Sequence, residues 1–287
     1  MSFFQLFILS VVQGVTEWLP ISSSGHVLLI AAMYGIVGND EVLINAMAHV
    51  GTLFSILLYF RRDILDAIGG GFELIRFGAD RSSGPLSRHA KLALHIILAT
   101  PVAVAAGLGF ALLSEGASQA LRSLWVVIGT TLFFAVLLWW ADVKGSSKKG
   151  AADMTSRDAF LIGATQAIAA LLPGTSRSGI TMTAARALGF SRIEAARFSM
   201  LIGVPLIIAG GAYAFLELAT ADAGSISLTL NDGLIVLGLS FLAGYVSIAG
   251  LMALLVRMSF LPFVIYRLCL GLALILASPI GFALIPA

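Results

Sequence analysis

The sequence is poor in charged residues and almost devoid of cysteine. Only 11% of its 287 residues are Asp, Glu, Lys or Arg, about half the fraction that is typical of a soluble domain. The net charge of +2 gives no indication of nucleic-acid binding. The single cysteine, Cys269, lies inside an apolar run, which excludes an intramolecular disulfide and a cysteine metal cluster.

Hydrophobic residues make up 59% of the chain, and the mean hydropathy is +1.00. A water-soluble fold cannot bury that much apolar surface, whereas a lipid bilayer solvates it. A helix needs about 20 predominantly apolar residues to cross a bilayer. Runs of that kind predict six transmembrane helices in an all-α integral membrane protein, at 42–60, 92–113, 123–141, 198–218, 233–256 and 260–283.

Two further apolar stretches, residues 3–37 and 158–189, are each interrupted near the middle. The first is broken by a Pro/Ser/Gly tip at Pro20–Gly25, and the second by a similar tip at Pro173–Gly179. Each half is too short to span the bilayer but long enough to reach its midplane. Such a break is tolerated at membrane depth only where protein or a watery cavity covers it. The pattern therefore predicts two re-entrant helical hairpins.

Basic residues are concentrated on one side of the predicted topology. If the six spans alternate, 15 of the 17 Lys and Arg residues share that side, and the positive-inside rule places it in the cytoplasm. The first hairpin then enters from outside and the second from inside. Phe72–Phe77, in the first basic loop, is expected to be an amphipathic surface segment. The basic set is Arg61, Arg62, Arg76, Arg81, Arg88, Lys91, Lys144, Lys148, Lys149, Arg157, Arg186, Arg192, Arg197, Arg257 and Arg267.

The two hairpins repeat one pattern of spacing. Gln13 stands seven residues before Pro20, as Gln166 does before Pro173. Three predicted spans follow each hairpin, and an odd number of spans inverts the second copy. The alternative is a coincidence between two helix breaks. Inverted repeats typically place their site near the midplane. We therefore predict a single membrane domain, 1–287, with repeat one at 1–141, repeat two at 153–287, and two tips that meet.

The first tip carries an ionisable group where such groups are costly. Gln13 and Glu17 lie four residues apart and so share one helix face. A glutamate within an apolar hairpin has a functional role by default, although a neutral Glu17 bonded to backbone is the alternative. A serine run and His26 follow within ten residues, which favours chemistry. Serines at a helix start can be simple N-caps, but free N–H groups there also favour an anion.

The second tip places Arg177 between Ser176 and Ser178. An arginine this deep needs an anionic partner. Glu17 is one candidate, and a phosphate is the better fit, because a guanidinium binds phosphate bidentately beside hydroxyl and backbone donors. His49, near the start of the first span, is a further candidate to line the same cavity. The set predicts phosphoryl chemistry on a substrate that reaches the site from the membrane.

These motifs resemble those of the undecaprenyl-pyrophosphate phosphatase family, the UppP or BacA type. The first motif runs from Gln13 through Glu17 to His26, and the second from Pro173 to Thr181. The resemblance covers essentially the whole chain. It implies six spanning helices with two inverted re-entrant hairpins in the bacterial cytoplasmic (inner) membrane. It also implies removal of the terminal phosphate from a C55 polyprenyl pyrophosphate lipid, which recycles the carrier for peptidoglycan synthesis and is associated with bacitracin resistance.

By position, the resemblance assigns Glu17, Ser23, His26 and Arg177 to the catalytic centre. A divalent cation, Mg²⁺ or Ca²⁺, is implied near Glu17 and Gln13, although an amide is a weaker ligand than the glutamate of other members. Asp153 matches, more loosely, a position where the family often has an acidic residue. The implied phosphate-binding hydroxyls are Ser22, Ser24, Ser176, Ser178 and Thr181.

Three attacking groups are consistent with this set. Ser23 with His26 as its general base is favoured, because three residues along a helix is a workable distance; His26 itself and water are the alternatives. A transporter or flippase for a phosphorylated lipid is the rival function, since inverted repeats with broken helices are the usual transporter plan, and a non-catalytic scaffold is the third. The expected active site opens to the periplasmic or outer side, and the sequence is compatible with a homodimer.

Overall fold

In a computed structural model the chain is described over residues 1–36, 38–79, 85–113, 115–220 and 228–281. These residues form α-helices, one short 3-10 helix at Ala151–Asp153 and no strand, which confirms the predicted all-α class. The helices are α1 (Phe3–Trp18), α2 (Ser23–Tyr34), α3 (Asn39–Tyr59), α4 (Arg61–Ala79), α5 (Arg88–Ala99), α6 (Pro101–Ala111), α7 (Glu115–Leu121), α8 (Leu124–Lys144), α9 (Ser156–Ala164), α10 (Gln166–Leu171), α11 (Arg177–Ala187), α12 (Arg192–Ala219), α13 (Leu230–Leu255) and α14 (Leu261–Gly281).

Five stretches of the described chain are long and apolar enough to cross a bilayer, so the protein is a multi-pass membrane protein. They are α3, the α5–α6 pair, α8, α12 and α13, which correspond to the first five predicted runs. The α5–α6 pair divides at Pro101 because proline lacks the N–H that would continue the helical hydrogen bonds. The sixth predicted run, 260–283, corresponds to α14 up to Gly281, and its last two residues lie outside the described ones.

Both predicted hairpins consist of helices that stop at a tip. α1 has 16 residues and is therefore about 24 Å long, which is short of the roughly 30 Å hydrocarbon core. The second hairpin has a divided first half, α9 and α10, followed by α11. At each tip a serine directly before the returning helix has a left-handed backbone, with φ +73° at Ser22 and +70° at Ser176. The one tip thus repeats a strained feature of the other.

Small residues let each hairpin pack closely on a long helix. A Cβ at Gly14 of α1 would lie 2.6 Å from the Cβ of Ala243 on α13, and one at Gly163 of α9 would lie 2.2 Å from the Cα of Ala99 on α5. Gln166 also donates through Nε2 to the Ala99 carbonyl at 3.2 Å. Close backbone approach through glycine is the usual way in which membrane helices associate. The packing fixes the position of each tip within the helical bundle.

The basic loop predicted after the first span is mostly helical. α4 begins two residues after α3 ends and includes the predicted amphipathic segment Phe72–Phe77. It packs along α5. Arg81, which the sequence places in the same loop, lies outside the described residues.

A buried charge cluster joins α8, α11, α12 and the α13–α14 turn. Asp142 Oδ1 accepts from Arg186 Nε at 2.9 Å and from Arg192 Nε at 2.8 Å, and its Oδ2 accepts from the Phe260 N–H at 3.1 Å. The Nη1 and Nη2 atoms of Arg186 donate to backbone carbonyls and to a serine hydroxyl. Arg186, predicted in a cytoplasmic loop, is therefore a fully hydrogen-bonded core residue that fixes the C-terminal end of α11.

We expect Asp142→Ala to lower the free energy of unfolding by about 3–5 kcal/mol, because it leaves the Arg186 charge buried and unpaired. Thermal unfolding of the purified protein in detergent measures this, with Glu217→Ala, at an exposed position, as the matched control. Equal melting temperatures for the two variants would contradict the assignment of Asp142 to a stabilising buried pair.

Candidate active site

Glu17 is the centre of the contacts between the two tips. Its Oε1 accepts from Arg177 Nη2 at 2.8 Å, and its Oε2 accepts from Ser23 Oγ at 2.8 Å and from Gln13 Nε2 at 3.0 Å. The carboxylate belongs to α1, Ser23 begins α2, and Arg177 begins α11. The fold therefore brings three of the predicted catalytic residues together across 160 residues of sequence separation.

Arg177 is held in place from several sides. Its Nη1 donates to the Ser199 carbonyl at 3.3 Å, and its guanidinium carbon lies 5.1 Å from the centroid of the Trp18 ring. A Cβ at Gly203 would lie 2.0 Å from Nη1, so only glycine leaves room for the arginine there. Arg177 thus contacts Glu17, one of the two anionic partners that the sequence allowed. A guanidinium has five N–H donors, so this pairing leaves donors for a second anion.

His49 lies on the other side of the Gln13 amide. Its Nδ1 lies 2.7 Å from the Asn45 carbonyl, which can only accept, so Nδ1 carries the proton in the neutral ring. Nε2 then accepts from Gln13 Nε2 at 3.3 Å and lies 3.7 Å from Glu17 Oε2. Gln13 thus offers N–H groups, and not its oxygen, to Glu17 and His49.

His26 is not brought to Ser23. Its Nδ1 donates to the Ser22 carbonyl at 2.7 Å, and its Nε2 lies 2.6 Å from the Tyr266 hydroxyl. The imidazole also stacks on the Tyr266 ring, with centroids 5.7 Å apart. Both ring nitrogens are thus engaged away from the serine. His26 contacts the Ser22 carbonyl, and the group within hydrogen-bond distance of the Ser23 hydroxyl is the Glu17 carboxylate.

The hydroxyls predicted to bind phosphate divide into two groups. Ser176 caps α11 by accepting from the Gly179 N–H at 3.1 Å and lines a cavity beside Glu17. Ser178 donates to the Leu19 carbonyl of the first tip at 2.9 Å, and buried Thr181 lies 2.6 Å from the Ser199 hydroxyl. These last two join elements of the fold. Ser22 is buried, and the side chain of Ser24 lies outside the described part of the structure.

A cavity of about 400 Å³ opens from Glu17 between α3, α10 and α12. Its remaining wall is apolar or small, with alanines on α10 and glycines on α12. A charged end and an apolar passage suit a lipid with a charged headgroup. Asp153 is not among the lining residues and instead accepts from the Gly150 N–H at 2.9 Å. The polar lining residues are Glu17, Ser23, Asn45, His49, Gln166, Ser176 and Arg177.

Arg267 of α14 contacts both tips, and the sequence did not lead us to predict this. It was counted among the cytoplasmic basic residues, but it is fully buried on α14. Its Nη2 donates to the Gly174 and Thr175 carbonyls of the second tip at 3.0 and 3.1 Å, and its Nη1 to the Pro20 carbonyl of the first at 3.5 Å. The signal was its position within an apolar run, where an arginine marks a functional site by default.

Comparison with known proteins gives matches over nearly the whole chain. The family model for bacitracin resistance protein BacA matches residues 6–273. The undecaprenyl-diphosphatase of Hyphomonas neptunium is 54% identical over 281 residues, which cover 98% of each chain. The undecaprenyl-diphosphatases of Ruegeria pomeroyi and Maricaulis maris are 45% and 44% identical, each over 96% of this chain and 98% of the relative.

Proposed function

The chain belongs to the bacitracin resistance protein BacA family, and we propose that it is a membrane phosphatase that hydrolyses undecaprenyl diphosphate to undecaprenyl phosphate and inorganic phosphate. Hydrolysis would recycle the lipid carrier for peptidoglycan synthesis. The observation that carries the proposal is the contact of Glu17 with Ser23 and Arg177 in a cavity that is also lined by apolar and small residues of α10 and α12. We infer that a nucleophile (Ser23), a base (Glu17) and a guanidinium that binds phosphate (Arg177) share one site.

We infer six spans and two re-entrant hairpins in an inverted repeat, with α14 as the sixth span. Reciprocal packing supports this arrangement. α1 of the first hairpin packs on α13, the second span of repeat two, whereas α9 and α10 pack on α5 and α6, the second span of repeat one. The first spans, α3 and α12, pack together, as do the third, α8 and α14. The topology is compatible with a homodimer, which light scattering in detergent would detect.

The proposed location is the bacterial inner membrane, with the cavity open to the periplasmic side. Val42 and Asn45, near the start of α3, and Gly210 and Ala214, in the C-terminal half of α12, line the cavity. The positive-inside rule places both of these helix ends outside. The polyprenyl chain would then remain in the bilayer while the diphosphate enters between α3 and α12.

Binding of the terminal phosphate falls to the second tip and to the starts of α2 and α11. Arg177 supplies guanidinium N–H groups, and Ser176 supplies a hydroxyl at the cavity wall. Ser23 and Arg177 are the first residues of their helices, so the free N–H groups of both helix N-termini lie at the tips, where they favour an anion. His26 and Arg267 hold the tip backbones through carbonyl oxygens and so act as positioning residues.

We assign the nucleophile to Ser23 and its general base to Glu17. Ser23 Oγ bonds to the terminal phosphorus, the bond from that phosphorus to the bridging oxygen breaks, and the serine proton passes to Glu17 Oε2, 2.8 Å away. The lipid monophosphate leaves. Water then attacks the phosphoserine, and its hydroxyl stays on phosphorus while its other proton goes to solvent. Glu17 returns its proton to Ser23 Oγ as that bond breaks.

Ser23→Ala is expected to remove a trappable phosphoenzyme and to lower phosphate release by at least about 100-fold, because the covalent route through the serine is then closed. The measurement is quenching in denaturing detergent at neutral pH, which preserves both phosphoserine and phosphohistidine, with substrate labelled in the terminal phosphate, followed by peptide mapping at neutral pH. Label on Ser23 supports the assignment. Label on His26 or His49, or no label in the wild type, contradicts it.

We propose Mg²⁺ or Ca²⁺ as the cation that accompanies the diphosphate. Among the described residues no group of three or more His, Cys, Asp or Glu side chains is placed to hold a metal. Mg²⁺, however, is commonly bound by one or two carboxylates together with substrate phosphates, and Glu17 fits that role. The Gln13 amide would have to turn over to offer oxygen. When bound, the cation neutralises phosphate charge.

Chelation should therefore lower phosphate release to near background, and either Mg²⁺ or Ca²⁺ should restore it. The assay is release by EDTA-treated, dialysed protein in detergent, with and without each added cation. Full activity after chelation would contradict the proposed requirement for a cation.

The proposed function is tested by supplying undecaprenyl diphosphate to the purified protein in detergent and measuring free phosphate. Sustained release that depends on Glu17 and Arg177 supports the phosphatase. No release by a folded wild-type protein, together with movement of labelled lipid across proteoliposomes, would instead indicate the transporter or flippase.

A further inference from the structure

The acidic side chains of α4 share one face. Its acidic side chains contact the rest of the protein: Asp63 accepts from Arg197 Nε on α12 at 3.1 Å, Asp66 lies 3.5 Å from His89 Nε2, and Glu73 accepts from the Ser87 hydroxyl at 2.5 Å. A Cβ at Gly70 would lie 2.0 Å from the His89 carbonyl oxygen, so this face of α4 packs directly on α5.

The opposite face of α4 exposes large apolar side chains. Leu65 is 67% exposed, Ile68 54%, Phe72 65% and Ile75 72%. Their spacing of three, four and three residues places them in one stripe along the helix. A stripe of this kind in water is an aggregation hazard, so something apolar is expected to cover it.

Exposed arginines accompany the stripe. Arg61, Arg62 and Arg76 are exposed, and none forms a salt bridge with another described residue. At 100° per residue, Arg61 projects into the middle of the apolar arc at its N-terminal end, whereas Arg76 lies about 20° and Arg62 about 60° beyond the Leu65 edge of the arc. Long basic side chains beside an apolar stripe can extend toward phosphate headgroups while their stems contact apolar surface.

α4 connects two candidate membrane spans. It follows α3 after a single residue and packs on α5, which opens the next candidate span, yet it is not itself among the candidate spans. The acidic contacts on its other face fix its orientation against α5 and α12.

We propose that α4 is an interfacial helix that binds anionic phospholipid, on the side of the membrane that carries most of the basic residues. Leu65, Ile68, Phe72 and Ile75 lie among the upper acyl chains, and Arg61, Arg62 and Arg76 bind the phosphates of the headgroups. An amphipathic helix with Lys or Arg beside its apolar face lies in the interface plane in this way. The position of α4 between two candidate spans, and the positive charge that forms no salt bridge with a described residue, commit the occupant to lipid.

The first test measures depth in proteoliposomes that contain phosphatidylglycerol. In a Cys269→Ser background, an environment-sensitive label is attached at Ile68→Cys, at Phe133→Cys on the exposed face of α8 as a membrane-depth standard, and at the exposed loop position Lys148→Cys. We expect lipids spin-labelled near the headgroup to quench the Ile68 label. We also expect aqueous iodide to quench the Ile68 label several-fold less than it quenches the Lys148 label. Iodide quenching equal to that at Lys148 would overturn the proposal. So would protection from iodide without lipid quenching, which would indicate a second copy or another protein.

The second test measures lipid charge preference. Arg61→Gln, Arg62→Gln and Arg76→Gln together should weaken phosphatidylglycerol retention, counted by native mass spectrometry, by about fivefold per arginine removed. Arg157→Gln, at an exposed position outside α4, is the control and should retain the wild-type amount. Retention unchanged in the triple variant would overturn the headgroup assignment. Neither the quenching measurement nor the lipid-retention measurement uses phosphatase activity, so the outcomes of both are independent of the proposed function.

Discussion

Glu17→Gln should reduce kcat/KM for undecaprenyl diphosphate by about 1,000-fold, within the range measured for loss of a general base. Glutamine preserves the shape of the side chain but cannot take the proton of Ser23, whose Oγ lies 2.8 Å from the carboxylate. It also removes the negative charge that faces Arg177. The measurement is phosphate release by purified variants in detergent, with melting temperature measured on the same samples.

Glu217→Gln is the matched control, because Glu217 is an exposed carboxylate on α12. It should retain wild-type activity. A Glu17→Gln protein that melts near the wild-type temperature and keeps more than about a tenth of the activity would exclude the base role, since loss of general-base catalysis costs at least 100-fold or so.

Arg177→Lys should reduce kcat by about 100-fold, the scale seen when one donor to a developing negative charge is removed. Lysine keeps the charge but not the planar fork, which here must contact Glu17, the Ser199 carbonyl and, in the proposed complex, a phosphate. An ammonium cannot hold these partners in one plane. Steady-state kinetics at saturating substrate separate this effect on kcat from an effect on KM.

Arg122→Lys provides the comparison, because Arg122 is exposed and lies over the Phe110 ring, 5.4 Å from its centroid. We expect no more than a small change in kcat for that variant. An Arg177→Lys protein with unchanged kcat and a raised KM would show that the guanidinium contributes binding alone, and would contradict a contact that strengthens in the transition state.

The helix breaks at the two tips were predictable because their signal is local. Pro20 and Pro173 follow helices that were otherwise apolar enough to continue, and they stand at equal spacing from Gln13 and Gln166. The structure added a feature that composition does not encode, the left-handed backbone at Ser22 and Ser176. Helix division at Pro101 and the length of α4 were missed, because hydropathy measures burial in lipid and not the continuity of a helix.

The hydrogen-bond partners of the site residues were less predictable than the residues that make up the site. Sequence distance favoured His26 as the base for Ser23, since the two lie three residues apart. In the structure Tyr266 and the Ser22 carbonyl engage both nitrogens of His26, and for this reason our proposal gives the base role to Glu17. Arg267 likewise lies more than 90 residues along the chain from the second-tip carbonyls it contacts. Such contacts follow from helix packing, which a single sequence does not specify.

A double-mutant cycle between Glu17→Gln and Arg177→Lys tests most directly whether the two tips form one catalytic unit. kcat/KM is measured for the wild type, both single variants and the double variant. The effects of substituting groups that act together are strongly non-additive. The kcat/KM of the double variant should therefore lie within about threefold of the value for the slower single variant. Losses that multiply in full, as expected for two independent sites, would contradict the joint active site.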